Sequence, residues 1–268
     1  MRIYGIFGSP IEHSLSPAMQ NAAFGALGLN ACYHAFCVRQ ESLKDAILGA
    51  KAMGFGGLNL TIPLKEKALE IVEPDALARE IGAVNTVSFR DGIAGHNTDG
   101  VGALLALKAS GVDVRGRSVL IIGAGGAARA IAYTFAGEGA RISIANRSPR
   151  RASELAASVG GAGHGLDDLE VLVPSADVVI NATSVGMNEG DPRLLEGRLL
   201  QKDQAVFDIV YNRETELLKD AREAGAVAVD GLMMLVYQGA KALEIWTGER
   251  APVEVMERAV REGLGARR

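Results

Sequence analysis

The sequence predicts an α/β protein of two domains, each a sheet flanked by helices. Three observations carry this. Strand-like and helix-like runs alternate through the first 75 or so residues. The same alternation restarts at VLIIGAGG, after the polar stretch GVDVRGRS. The 268 residues are enough for two ordinary domains.

Residues 2–8 (RIYGIFG) read as a strand. Ser16-Pro17 then opens a helix, with Ser at the N-cap and Pro at the first helical position. Residues 31–38 read as a second strand, and 41–53 as a helix with Leu43, Ala46, Ile47 and Ala50 on one face. Residues 57–62 form a third strand and 63–73 a further helix. In 84–97, Asp91-Gly92 between two alternating runs signals a hairpin. A helix follows from Asp99 to Ser110. VLIIGAGGAARAIAYTFAGEGARISIANRS then spells strand, glycine-rich turn, helix, strand. ADVVINAT, AVFDIVY and GAVAVDG are strands by their β-branched content, and 232–266 reads as one or two helices. The two halves meet near residues 98–115.

Composition narrows the function. Apolar residues are 48% and charged residues 22%, normal for a globular chain with a full core. A net charge of −4 points away from nucleic-acid and anionic-membrane partners. The start MRIYGIFGSP lacks the pattern of a secretory signal, and the uncharged stretch from His13 to Val38 is broken by polar residues, so no membrane span is expected. Cys32 and Cys37, five apart on one strand, face opposite ways and read as reduced core thiols of a cytoplasmic protein. The four scattered His suggest no metal site.

Gly123-Ala124-Gly125-Gly126-Ala127-Ala128 fits G-x-G-x-x-A. It follows a strand and opens a helix, the context that dinucleotide binding demands. The first Gly makes the tight turn, the second lets backbone N–H groups approach a pyrophosphate, and the small third residue lets helix and strand approach closely. The bland alternative is a turn whose glycines serve packing alone. The end of the next strand selects the cofactor. An Asp or Glu there would hold ribose hydroxyls; this chain has Asn146-Arg147-Ser148, with Arg150 and Arg151 behind. Cations at a helix start oppose its dipole and call for an anion, and Arg147 can pair a 2′-phosphate bidentately. The expected cofactor is NADP in a Rossmann-type domain.

A dinucleotide domain does not say what is reduced. Hydroxyls and amides gather at strand ends of the first half: Ser14, Ser16, Thr61, Asn85, Thr86, Asn97 and Thr98, with Lys65 and Asp99. Such a set suits a small, oxygen-rich substrate. HSLSP (13–17), NLTIPLKE (59–66), GAVNTV (82–87), HNTDG (96–100), GAGGAARA (123–130), ANRS (145–148), NATSVGM (181–187), DIVYN (208–212) and MLVYQGA (234–240) stand in the order found in shikimate dehydrogenases. The chain resembles that family from about residue 3 to about residue 250.

The resemblance implies reduction of 3-dehydroshikimate to shikimate with NADPH, on the way to aromatic amino acids. It implies a substrate domain of residues 1–98 completed by helices in 237–268, and an NADP-binding domain of 99–236, with a cleft between them. Lys65 and Asp99 would be the catalytic pair. Ser14 and Ser16 would take the substrate carboxylate, and Thr61, Asn85 and Gln238 its ring hydroxyls, with Tyr211 nearby. Asn146, Arg147 and Arg150 join the glycine turn as the cofactor set, with Asn181, Ala182, Thr183, Ile209, Gly231 and Met233. Family members are monomers or homodimers. The ammonium of Lys65 would give a proton as charge develops on the ketone oxygen, with Asp99 orienting it. The bland reading of Lys65 is a solvated residue in a helix's first turn, where a cation is disfavoured. Ser16 also reads as a helix cap, whereas Ser14 has no such local role. His13 beside the serines is a weaker candidate for proton transfer, and Met233 and Met234 are core residues by default.

One departure is plain: the family commonly continues Tyr-Asn-Pro where this chain has Tyr211-Asn212-Arg213, which loosens the turn holding Tyr211. Three rivals remain. Tyr237-x-x-x-Lys241 resembles the pair of short-chain dehydrogenases, but the glycine turn stands in mid-chain without that family's spacing. A quinate/shikimate enzyme differs in cofactor or ring substituent. A non-catalytic NADP sensor would need no Lys65 and Asp99.

Overall fold

The strands sort into two sheets of six. The computed structural model describes residues 1–266. It divides into two units, Met1–Asp99 with the chain from Val236 onward, and Gly100–Leu235. The fold is the two-domain α/β arrangement that the alternation predicts.

The first unit contains β1 (Arg2–Gly8), α1 (Ser16–Ala26), β2 (Ala31–Cys37), α2 (Leu43–Ala52), β3 (Gly57–Leu60), β4 (Glu73–Pro74), α3 (Ala76–Ile81), β5 (Thr86–Ser88) and β6 (Ala94–His96). Their order across the sheet is β2-β1-β3-β5-β6-β4. β1 runs parallel to β2 and β3, while β5 runs antiparallel to both β3 and β6, with Asn59 opposite Thr86. The β5–β6 hairpin turns at Asp91-Gly92, where Gly92 has φ 121°. α2 buries Leu43, Ile47 and Ala50, the stripe its spacing predicts.

Four expectations are corrected here. Residues 63–73 are not an α-helix. Lys65 O accepts from Val84 N at 2.8 Å, so that carbonyl is drawn into sheet-like pairing, and only a 3₁₀ turn forms at Lys67–Glu70. Helix α3 is additional, capped by Asp75, whose carboxylate accepts from Ala78 N at 2.7 Å, and ended by Gly82 at φ 74°. Ser16 is not the N-cap; α1 begins at Ser16, and the Ser14 hydroxyl oxygen accepts from Ser16 N at 3.2 Å. Cys37 is exposed and Cys32 half-buried, because β2 is an edge strand.

The second unit contains α4 (Asp99–Ala109, from Gly100), β7 (Ser118–Ile122), α5 (Gly126–Gly137), β8 (Arg141–Ala145), α6 (Pro149–Ser158), β9 (Ala162–His164), α7 (Leu169–Ser175), β10 (Val178–Asn181), β11 (Ala205–Asp208), α8 (Glu216–Glu223) and β12 (Val227–Val229). All its strands are parallel, in the order β12-β11-β10-β7-β8-β9. That is the doubly wound Rossmann order, with its switch point between β7 and β10. The central strands are buried on both faces and read as continuous apolar runs. α9 (Leu232–Thr247) begins in this unit and crosses into the first, where α10 (Val253–Gly265) follows.

The single Trp anchors α9 in the first unit. Trp246 lies 5.1 Å from Tyr4 and 6.1 Å from Tyr33, ring centre to ring centre, and its Nε1 donates to Val87 O at 2.9 Å. Gly57 permits this approach, since a Cβ there would meet the indole 2.2 Å away. Gly57→Ala should therefore destabilise by about 1–3 kcal/mol, the usual cost of overpacking a core. Urea unfolding followed by the fluorescence of Trp246 checks this; an unchanged midpoint would show that the ring moves aside freely.

Candidate active site

After β3 the chain passes Thr61 and the cis Ile62–Pro63 peptide, and Leu64 N closes a turn on Thr61 O at 2.8 Å. Lys65 leaves this turn pointing at Asp99, the first residue of α4: Nζ donates to Oδ2 at 2.6 Å. The Lys65 side chain keeps 23% of its surface exposed and Asp99 only 9%. A pair this enclosed gains little net stability, because desolvation offsets the attraction. Lys65 thus has a carboxylate partner, not a helix dipole, as the feature that marks it. The other carboxylate oxygen, Asp99 Oδ1, accepts from Asn85 Nδ2 at 2.8 Å. Asn85 is enclosed too. Its second N–H goes to Thr98 Oγ1 at 3.0 Å, and its Oδ1 accepts from Thr98 N and from Thr86 Oγ1, both at 2.9 Å. A ring hydroxyl reaching Asn85 would have to replace one of these partners.

Two residues outside the predicted set complete this network. Asn59 Nδ2 donates to Asn85 O and Thr86 Oγ1, and Tyr33 Oη donates to Asn59 Oδ1 at 2.7 Å. Burial pushes the Tyr33 phenol well above its ordinary range, with the hydrogen-bonded Ser16 side chain pulling the other way, so Tyr33 stays a donor. Asn21 of α1 holds the Tyr33 backbone by both N–H and C=O. Asn59 could have been found as the one amide in the apolar strand GLNL; nothing local marks Tyr33.

Ser14 and Thr61 are half-buried and Ser16 is buried. Gln238 is half-buried on α9, beside Gly239, whose carbonyl accepts from Gln20 Nε2 at 2.9 Å.

In the second unit the glycine turn sits at the switch point. Gly123 has φ 117°, and a Cβ there would meet Ala182 O at 2.9 Å, so the turns after β7 and β10 approach closely. A Cβ on Gly125 or Gly126 would meet nothing within 4 Å. Their bareness therefore does not serve packing; it leaves the start of α5 open, with no side chain capping it. Ala124 and Ala127 flank this opening, and Ala128 is buried against the sheet. Asn146 and the exposed Arg147 end β8, and Ser148 caps α6 by accepting from Arg151 N. Arg150 is 84% exposed, 3.6 Å from Glu154. Asn181 Oδ1 accepts from Thr183 N and Thr183 Oγ1, which shapes the 181–183 turn. Gly231 lies against Ile209, whose O would be 2.1 Å from an added Cβ. Tyr211 and Met233 are half-buried. An open helix start with a cation and no acid at the next strand end fits a dinucleotide carrying a 2′-phosphate. Among the described residues no group of three or more His, Cys, Asp or Glu could hold a metal ion, and no helix is long and apolar enough to cross a membrane.

Known families match in three consecutive parts: "Shikimate dehydrogenase substrate binding domain" over residues 6–87, "Shikimate / quinate 5-dehydrogenase" over 104–234, and "Shikimate 5'-dehydrogenase C-terminal domain" over 231–261. The "Shikimate dehydrogenase (NADP(+))" of Methanothrix thermoacetophila is 63% identical over 265 residues, 99% of this chain and 98% of that one. Its counterpart from Methanococcoides burtonii is 54% identical, covering 98% of each chain. A solved shikimate dehydrogenase in complex with NADP+ superposes with a TM-score of 0.94 at 42% identity, over 98% of this chain and 96% of that one.

Asp208, at the end of β11, is a further residue with no role predicted from sequence. It is fully buried, accepting from Asn181 Nδ2 at 2.9 Å, Val210 N at 3.0 Å and Thr215 Oγ1 at 2.7 Å. It thereby ties the 181–183 turn to the turn that carries Ile209 and Tyr211. Burial raises its pKa, and the three donors only partly oppose this. A carboxyl raised in the folded state holds its proton longer there than in the unfolded chain. Its contribution to stability is greatest below the unfolded value of about 3.9 and is lost as pH rises through the folded value. Asp208→Asn removes this titration. Urea unfolding at several pH values should show the wild type losing stability relative to Asp208→Asn as pH rises from about 4; a constant difference would mean that Asp208 does not titrate there.

Proposed function

The chain belongs to the shikimate dehydrogenase family, and on that premise we propose that it interconverts 3-dehydroshikimate and shikimate with NADP, using Lys65 and Asp99 as its acid–base pair. The observation that supports the pair most directly is the 2.6 Å contact between a part-exposed ammonium and an enclosed carboxylate. Structural need does not account for it, since such a pair adds little to stability.

The ammonium of Lys65 has three hydrogens, and Asp99 takes one. The others can reach a ketone oxygen while negative charge develops on it, and one is then transferred as the hydroxyl forms. In the oxidative direction Lys65 receives that proton. Asp99 keeps Nζ in place through both directions, and Asn85 fixes which carboxylate oxygen faces it. The cofactor, when bound, supplies or accepts the hydride. Gly123 to Ala127 would hold its pyrophosphate and Arg147 its 2′-phosphate, with Asn146 and Arg150 beside it. Ser14 and Ser16 would bind the substrate carboxylate, and Thr61, Asn85 and Gln238 its hydroxyls, with Tyr211 nearby. The Ser14 oxygen accepts from Ser16 N at 3.2 Å. A cytoplasmic location completes the proposal by family resemblance, and sedimentation equilibrium decides between monomer and homodimer.

The first experiment is turnover of shikimate with NADP+ and with NAD+, followed by absorbance of the reduced cofactor. Strong turnover with NADP+ and little with NAD+ is expected; the reverse would move the chain to a sister activity. Lys65→Ala should lower kcat by about 10²–10⁴, the usual worth of a positioned general acid, with KM little changed. An unaltered kcat would remove Lys65 from the chemistry. Arg147→Asp should weaken NADPH far more than NADH in fluorescence titrations; equal losses for both would take the 2′-phosphate away from Arg147.

A further inference from the structure

We propose that Thr86, with Asn59 and Tyr33 behind it, is a positioning residue: with Asn85 the three form a one-way chain of hydrogen-bond donors, closed off from water, that ends on Asp99. This rests on the acid–base reading of Lys65 and Asp99.

The direction of the chain follows from groups that have no choice. Asn85 O can only accept, so the Asn59 amide nitrogen must face it at 3.2 Å, and Asn59 Oδ1 must face Tyr33 Oη. Thr98 N can only donate, so Asn85 Oδ1 faces it and Asn85 Nδ2 faces Asp99. Thr86 Oγ1 stands between the two amides. It accepts from Asn59 Nδ2 at 3.1 Å, and its single hydrogen goes to Asn85 Oδ1 at 2.9 Å, the nearer acceptor, with Thr98 Oγ1 at 3.4 Å. The sequence of donations is Tyr33 to Asn59, Asn59 to Thr86, Thr86 to Asn85, Asn85 to Asp99. Every dipole is turned so that its positive end leads toward the carboxylate, the arrangement in which successive bonds strengthen one another. Tyr33 and Thr86 have no exposed surface, and Asn59, Asn85 and Asp99 have 2–6%, so water offers little competition. Reversing Asn85 would set its oxygen against Asp99 and its N–H against Thr98 N, and reversing Asn59 would set its oxygen against Asn85 O. Thr86 therefore restrains the amide that fixes Asp99, without being placed at the substrate.

Thr86→Val keeps the shape and removes the hydroxyl. It should lower kcat about three- to tenfold, the scale of one lost buried hydrogen bond, with KM for shikimate and for NADP+ within about twofold. Thr86→Ser should restore kcat. In an Asp99→Asn background Thr86→Val should have no further effect on kcat, because its route to the reaction is gone. The proposal is overturned if kcat holds while only the melting temperature falls, if KM for shikimate rises instead, if Ser fails to rescue, or if the two substitutions multiply. A kcat unaffected by Asp99→Asn alone would sink the acid–base reading and this role together. A kcat lowered by Asp99→Asn but not by Thr86→Val would sink only the positioning role.

Discussion

The amide of Asn59 is enclosed in β3, between β1 and β5, and a group in that position must be paired. Its register places it beside Ile6 on one strand and Thr86 on the other, so its partners come from the sheet itself and from Tyr33 on β2. Satisfying one amide brings β2, β3 and β5 into a fixed lateral relation. The same hydrogen bonds then set Asn85, and Asn85 sets Asp99. Fold and site share one network here. A slip of β3 by one residue would turn Asn59 to the other face and leave Tyr33, Thr86 and Asn85 without it.

Two enclosed carboxylates show two answers to the same cost. Asp99 has an ammonium on one oxygen and an amide on the other. Asp208 has no cation among its hydrogen-bond partners, and three neutral donors share its two oxygens. Burial dominates at Asp208 and raises its pKa, as it should when only dipoles oppose desolvation. The two arrangements suit different tasks. In the proposed mechanism Asp99 holds a group that exchanges a proton, and a charge stands beside it. Asp208 ties turns together, and neutral donors suffice for that.

Signals confined to a few residues were legible in the sequence, and signals that depend on register were not. The glycine turn at 123–128 and the Asp91-Gly92 hairpin are local, and both stand where the pattern puts them. Asp75 with Gly82 is an equally local cap pair for α3, visible in retrospect. The helix expected over 63–73 fails because Val84, nineteen positions beyond Lys65, takes the carbonyl of that residue. Leu15 and not Ser16 stands at the cap of α1, and the Ser14 hydroxyl accepts from Ser16 N, a shift of one residue that pattern does not resolve. Tyr33 and Asn59 meet across 26 residues, and Asn85 and Asp99 across 14, so pattern alone could not pair them. Strand-end position gathered Lys65, Asp99 and Asn85, and family resemblance supplied their roles; neither supplied the network behind them.

The missing proline at Arg213 can be judged on the same footing. A proline stiffens a turn by removing conformations from the unfolded chain. This chain ties the turn with side chains instead. Asn212 Nδ2 donates to Met187 O at 3.1 Å, and Asp191 Oδ2 accepts from Gly186 N and Asn188 N, both at 3.0 Å. Hydrogen bonds from Asn188 lead in holding the Asp191 carboxyl below its ordinary value, and the charge of Arg213 acts in the same direction. The residue in the proline's place thus favours the ionised carboxylate that organises the 186–191 loop. Asp208 secures the near end through Val210 N and the far end through Thr215. Tyr211 lies between these two attachments, so the turn that carries it is bounded on both sides without a proline.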